Sequence, residues 1–306
     1  MSSHHQLNDI ASGADLGTWH DGTMPSDLPT PIEPSAAMST SGRIGSVPMV
    51  GSRPPVVLVD LDGVVWLAHR PIPGSVEAIA RLRTAGFRVV FVTNNSASTI
   101  GQQQAALASI GVQAEGDLLT SAMAAAQLVT AGERVLVCGG PGVVEAVEAR
   151  GAEVVADGPC DAVMVGFDRD FTYDRLRRAS VAVRHGARLI GTNDDATYPT
   201  PDGPIPGGGS ILAAVVVGSG SVPNIAGKPH EPMASLVRAV VGDEAAASAV
   251  MVGDRPATDG LFARRLGCRF ALVWSGVTNR HAELEAVPDL TSDDLEGIVV
   301  QLLDQR

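Results

Sequence analysis

The chain has 306 residues, a net charge of −12, and 45% hydrophobic, 18% charged and 4% aromatic residues. It is longer than a usual single domain of roughly 100 to 200 residues, so two domains and some unstructured sequence are expected. The acidity argues against nucleic acid or an anionic membrane as partner, because both would repel it. With so few aromatics, Val, Ala and Leu must fill the interior.

Residues 1–52 are rich in Ser, Pro, Gly, Thr and Met without apolar periodicity, and are expected to be a disordered N-terminal extension. They lack a basic start followed by an apolar stretch and a small-residue cleavage site, so no secretory signal is expected. The longest apolar run, 211–217, falls far short of the ~20 residues that span a bilayer. Cys138, Cys160 and Cys268 match neither a disulfide framework nor a zinc pattern. Reduced thiols in the cytoplasm are expected.

From Pro54 onward, apolar β-branched runs alternate with Ala-rich stretches. Strands are predicted at 56–60, 88–92, 134–138, 162–166, 188–191, 250–253 and 270–274, with helices at 75–85, 100–110, 121–131 and 231–241. This alternation indicates an α/β fold around a doubly wound, Rossmann-like parallel sheet buried on both faces. In such sheets ligands bind beyond the carboxyl ends of the strands. Those ends carry Asp60-Leu61-Asp62-Gly63, Thr93-Asn94-Asn95-Ser96 and Gly253-Asp254-Arg255, and Gly227-Lys228-Pro229 precedes the last of them. The block 133–222 interrupts this series and includes a Gly/Pro-rich stretch at 198–210. It reads as an inserted cap domain, leaving 53–132 and 223–306 as the catalytic core.

Three carboxylates brought within ~5 Å repel by roughly 3 kcal/mol per pair at an effective dielectric near 20, so Asp60, Asp62 and Asp254 require a cation. Oxygen ligands select Mg²⁺, held by Asp60, Asp254 and the backbone carbonyl of Asp62. Phosphoryl transfer needs in-line positioning and charge neutralisation. Asp60 is the expected nucleophile, and Thr93, the Asn94 amide, Asn95 and Lys228 are the expected phosphate-binding groups. Asp62 is expected to protonate the leaving alcohol and then deprotonate the hydrolytic water. Asp259 is placed to orient Lys228 or metal-bound water, with Gly63 in a supporting role. Asn193 and Asp195 follow a cap strand; they either face substrate or close a turn through side-chain to backbone bonds. Gly139-Gly140-Pro141-Gly142 is expected to be a tight turn, since the third glycine of a dinucleotide fingerprint is replaced by Glu145. Taken singly, Asp60 or Asp254 could be a helix N-cap and Lys228 a solvated lysine. It is the order of the motifs that discriminates.

Together the motifs resemble those of haloacid dehalogenase superfamily phosphatases with a class IIA, C2-type cap, the NagD-like or p-nitrophenyl phosphatase group. The matching residues are Asp60-Leu61-Asp62-Gly63-Val64-Val65-Trp66, Thr93-Asn94-Asn95-Ser96, Gly227-Lys228-Pro229, and Gly253-Asp254-Arg255 with Thr258-Asp259. Val165-Gly166-Phe167-Asp168, Thr192-Asn193-Asp194-Asp195 and Pro206-Gly207-Gly208-Gly209-Ser210 are similar to cap signatures of that group. Val64 stands where many superfamily members have Thr, as in those resembling pyridoxal phosphate and glycerol phosphate phosphatases.

The resemblance implies a Mg²⁺-dependent phosphatase working through a phospho-aspartate on a small phosphorylated metabolite. Candidate substrates are glycerol 3-phosphate, a sugar phosphate, pyridoxal phosphate, a nucleotide and p-nitrophenyl phosphate. A phosphomutase of the same fold is the alternative within enzymes, separated by whether free phosphate is the product. A phospho-accepting signalling protein is the alternative outside them, though it would lack an acid two residues after its acceptor. A homodimer through the cap is retained as a candidate assembly.

Overall fold

The computed structural model describes residues 54–305 except Ala68 and Pro201. The N-terminal extension expected at 1–52 lies outside the described residues.

The run Val56–Val59 is apolar at every position, and it forms a strand in the middle of a six-stranded sheet. Across the sheet the strands are Leu290–Ser292, Arg269–Val273, Val250–Gly253, Val56–Val59, Arg88–Thr93 and Leu118–Thr120, all parallel to their neighbours. Alternate side chains go to opposite faces, so the central strands need apolar residues throughout. Val57, Val59, Phe91, Val250 and Val252 pack on one face against the helices Ser75–Thr84 and Leu295–Asp304. Leu58, Val90, Val92 and Met251 pack on the other against Ser121–Ala126 and Glu231–Val241.

The inserted segment, joined by the strand Asn224–Ile225 just past its expected end at 222, builds a second parallel sheet, in the order Asn224–Ile225, Arg188–Gly191, Ala162–Val165, Arg134–Cys138 and Glu153–Val155. Its outer face is covered by the helices Tyr173–Arg184 and Gly208–Ser219 through Ala179, Val183, Ile211, Leu212 and Val215. On its inner face, Val135, Ala162, Met164 and Ile190 join the same buried cluster as Leu58, Val90 and Met251 of the first sheet. The expected α/β architecture, a doubly wound parallel core with an inserted α/β cap, is what the chain forms.

Some local expectations change. The helix expected at 121–131 ends at Ala126, ahead of the β-branched Val129 and Thr130 and the turn at Gly132. The Gly139–Gly142 stretch bends at Gly139 and then leads into the helix Pro141–Ala149, with Gly140 as its N-cap and Pro141 in its first turn. Its glycines serve close packing: a Cβ on Gly140 would collide with the Ala97 carbonyl, and one on Gly142 with that of Ser98. The helix Gly208–Ser219 begins within the Gly/Pro-rich stretch at 198–210.

Candidate active site

The carboxyl ends of Val56–Val59, Arg88–Thr93 and Val250–Gly253 lie side by side in the core sheet, so Asp60, Asn94 and Asp254 leave it at one edge. Lys228 enters from the loop after Asn224–Ile225, through a cis peptide to Pro229. Its side chain is only 2% exposed. The ammonium lies 2.7 Å from Asp60 Oδ1 and 2.7 Å from Asp259 Oδ1. Burial works against its charge, but Asp259 and Asp60 prevail and raise its pKa. Asp259 sits in a short π-helical turn, Pro256–Gly260, and its other oxygen accepts from the Arg255 N–H at 3.1 Å. One carboxylate thus fixes both the lysine and the loop that follows Asp254.

Carboxylate oxygens of Asp60, Asp254 and Asp259 lie within 4.8 Å of one another, and all three residues are buried. Burial, with Asp259 adding to it, pushes Asp254 up to about 7. Burial likewise holds Asp60 well above the usual carboxylate range, against the pull of Lys228. Asp254 Oδ2 accepts from the Val277 N–H at 2.8 Å, while Oδ1 is buried without a hydrogen-bond partner. Buried acids with an orphaned oxygen are the donor set of a hard divalent cation. The group that the structure gathers contains Asp259 in addition to Asp60 and Asp254, whereas the Asp62 carboxyl turns elsewhere. Gly63, at φ +92°, closes over Asp254; a Cβ on Gly63 or Gly276 would collide with its carboxylate.

Asp62 Oδ1 accepts from the hydroxyl of Tyr198 at 3.3 Å, a bond from the inserted segment to the core. Burial lifts Asp62 to about 6, opposed by that hydrogen bond. Thr93 is buried, and its Oγ1 accepts from the Asn95 N–H at 3.0 Å, so the hydroxyl proton is free to be donated. Asn95 Oδ1 in turn accepts from the Ala97 N–H at 3.0 Å. Asn193 Nδ2 donates to the Asn94 carbonyl at 2.8 Å, and Asn94 Nδ2 donates to Asp195 Oδ2 at 2.9 Å. Burial raises the Asp195 pKa, against Arg255 and Asn94.

These residues enclose one cavity of about 50 Å³, a few times the space one water needs. Asp60, Asp62, Thr93, Asn94, Asn95, Lys228 and Asp259 line its core side, and Asn193 and Asp195 its cap side. Asp254 lies behind this wall in the acidic group. Phe167 stacks on Tyr198 at the cap side, with ring centroids 5.1 Å apart. Arg255 also lines the cavity, 3.8 Å from Asp195 Oδ1. The sequence reading gave Arg255 and Phe167 no site role, although both fall inside motifs it quoted.

Among the described residues no helix is long and apolar enough to cross a membrane. The three cysteines are free thiols.

The profile described as "Haloacid dehalogenase-like hydrolase" matches residues 57–153, and a HAD-hydrolase-like profile matches residues 225–298. A 5'-nucleotidase of Bacillus subtilis is 35% identical over 227 residues, covering 73% of this chain and 88% of the relative. An acid sugar phosphatase of Staphylococcus saprophyticus is 33% identical over 251 residues, covering 80% and 96%. The crystal structure of a glycerol phosphate phosphatase from Mycobacterium tuberculosis in complex with magnesium superposes with a TM-score of 0.73 at 32% identity, covering 80% of this chain and 76% of that one. With its motifs gathered at one sheet edge and these likenesses over most of its length, the chain belongs to the haloacid dehalogenase-like hydrolase family.

Proposed function

We propose that the chain is a Mg²⁺-dependent phosphatase that cleaves a small phosphomonoester through a phospho-aspartate on Asp60. Membership of the family and the phosphatase relatives support hydrolysis of phosphoric monoesters. The observation that carries the finer reading is the buried Asp60–Lys228–Asp259 chain beside the orphaned Asp254 oxygen.

Asp60, Asp254 and Asp259 are the side chains that would hold Mg²⁺, and the Asp62 carbonyl would be a further ligand. When bound, the ion neutralises the crowded acids and the charge on the transferring group. Asp60 attacks phosphorus while the ester bond to the leaving oxygen breaks, and Asp62 gives that oxygen its proton. Water then attacks the phosphorus of the aspartyl phosphate, Asp62 takes a proton from it, and Asp60 is regenerated with release of inorganic phosphate. Thr93, the Asn94 amide, Asn95 and Lys228 hold the non-bridging oxygens, and Asp259 keeps the lysine in place. Asn193 and Asp195 stand on the leaving-group side.

In this reading residues 133–222 are the cap, and 53–132 with 223–306 the catalytic core. The substrate is a small ester, with glycerol 3-phosphate, sugar phosphates and nucleotides first, after the names of its relatives, then pyridoxal phosphate and p-nitrophenyl phosphate. The free thiols fit a cytoplasmic location, and a homodimer through the cap is the assembly to test. The deciding experiment is release of inorganic phosphate from this panel with Mg²⁺, with intact-mass detection of an 80-Da adduct, about that of one phosphoryl group, on Asp62→Asn protein. No phosphate release from any ester would overturn the reading.

A further inference from the structure

We propose that the Asn94 side chain is a positioning residue that ties docking of the cap to the placement of Lys228. The proposal rests on Lys228 being the phosphate-binding cation. Asn94 Oδ1 accepts from the Lys228 N–H at 2.8 Å, and Nδ2 donates to the Lys228 carbonyl at 3.0 Å. One side-chain amide therefore grips both peptide groups of the lysine, much as a neighbouring strand would. The remaining amide proton goes to Asp195 Oδ2 of the cap at 2.9 Å.

The grip is built in from several sides. The Asn94 carbonyl accepts from Ser121 Oγ of the core at 2.7 Å and from Asn193 Nδ2 of the cap at 2.8 Å. Gly227 lies flat against the amide, since a Cβ there would collide with Asn94 Oδ1 and the Thr192 carbonyl. Asp195, for its part, has its carboxylate between Asn94 and Arg255. A carboxylate held by two core groups acts on them as well as on any substrate.

The two roles open to Asp195 make opposite predictions. If it reads a leaving-group hydroxyl, its loss harms hydroxylated substrates alone. If it steadies Asn94, and through it Lys228, its loss harms every phosphate ligand equally, including inorganic phosphate, which has no leaving group. Removing a negative charge by itself would tighten an anion, so weaker phosphate binding has the sign that only the coupling gives.

The test uses the full chain with Mg²⁺. Asp195→Ala and Asn94→Ala are assayed on glycerol 3-phosphate and p-nitrophenyl phosphate, with inorganic phosphate affinity measured by calorimetry and folding checked by thermal melting. The expected result for both variants is a fall of about tenfold in kcat/KM, common to the two substrates, with phosphate affinity weakened in parallel. Asp195→Asn keeps an oxygen to accept from Asn94 and restores most of the loss. A defect confined to glycerol 3-phosphate, or phosphate affinity unchanged or tightened in Asp195→Ala, overturns the proposal. Should Asn94→Ala fail to fold, the two Asp195 variants decide the matter. Wild-type protein that binds phosphate but hydrolyses no ester sinks the phosphatase reading instead, and leaves the coupling readable in the affinities.

Discussion

The hydroxyl of Tyr198, carried by the cap, donates to Oδ1 of Asp62 in the core across 3.3 Å. Burial holds Asp62 near 6 while this bond favours its ionised form. As pH rises through about 6 the acid loses the proton that a basic alkoxide needs to depart, so turnover of glycerol 3-phosphate should decline. Tyr198→Phe removes the bond, raises the Asp62 pKa and should move this limb of the pH–rate profile upward. A limb displaced downward would contradict the assignment.

Asp60→Asn should reduce turnover below one per cent of wild type, a loss of more than about 3 kcal/mol in transition-state stabilisation, because an amide cannot attack phosphorus. The change is nearly isosteric, so the melting temperature should stay close to that of the native chain. Single-turnover assays on purified protein provide the check, and activity of several per cent would remove Asp60 as nucleophile.

Without a divalent ion, Asp254 has its pKa pushed up to about 7, and Asp60 is also held high. Unfolded aspartates ionise near 4, so between roughly pH 4 and 7 the unfolded chain binds fewer protons than the folded one. Stability of the chelated protein should therefore fall as pH rises through that window. Mg²⁺ binds the ionised acids, so the rise in melting temperature that it produces should be larger at pH 7 than at pH 5. Equal shifts at the two values would show that these acids do not hold the ion. Ca²⁺ should not support turnover, because its higher coordination number engages both Asp60 oxygens, one of which must stay free to attack.

Gly253 precedes Asp254, and a Cβ built on it would overlap the Asp259 carboxyl group. Gly253→Ala should push Asp259 off Lys228 and Arg255, which it bonds at 2.7 and 3.1 Å. A fall in kcat of tenfold or more is expected, of the order that follows when a buried charged pair loses a partner. Steady-state kinetics and a crystal structure of the variant would test this; unaltered kcat would mean that Asp259 does not govern the lysine.

The core motifs were legible because each lies directly after a continuous apolar run, where chain direction alone delivers Asp60, Thr93 and Asp254 to one sheet edge. Lys228 was legible from Gly227 and Pro229, and the fold accounts for the glycine, which must approach Asn94 and Thr192 closely. The edge strands Leu118–Thr120, Glu153–Val155 and Leu290–Ser292 have three residues each, too few to display a period. Arg255 was quoted without a role because its contact with Asp195 joins segments that are distant in sequence, and spacing cannot report it. Asp195 itself offered no sign of which partner it would take, since a carboxylate after a strand suits a turn, a substrate or a neighbouring amide equally.

The inner face of the cap sheet shares its buried cluster with the core through Val135, Ala162, Met164 and Ile190. Lifting the cap away as a rigid body would bare these side chains together with Met233 and Val237 of the core, which are buried in the same cluster. At roughly 1.5 to 3 kcal/mol for each large side chain returned to water, that opening approaches the whole stability of an ordinary domain. Cap and core should therefore melt together in a single calorimetric transition. Substrate exchange should then fall to the short hairpin of Thr197–Tyr198 and Ile205–Pro206, none of whose strand residues belongs to that shared cluster.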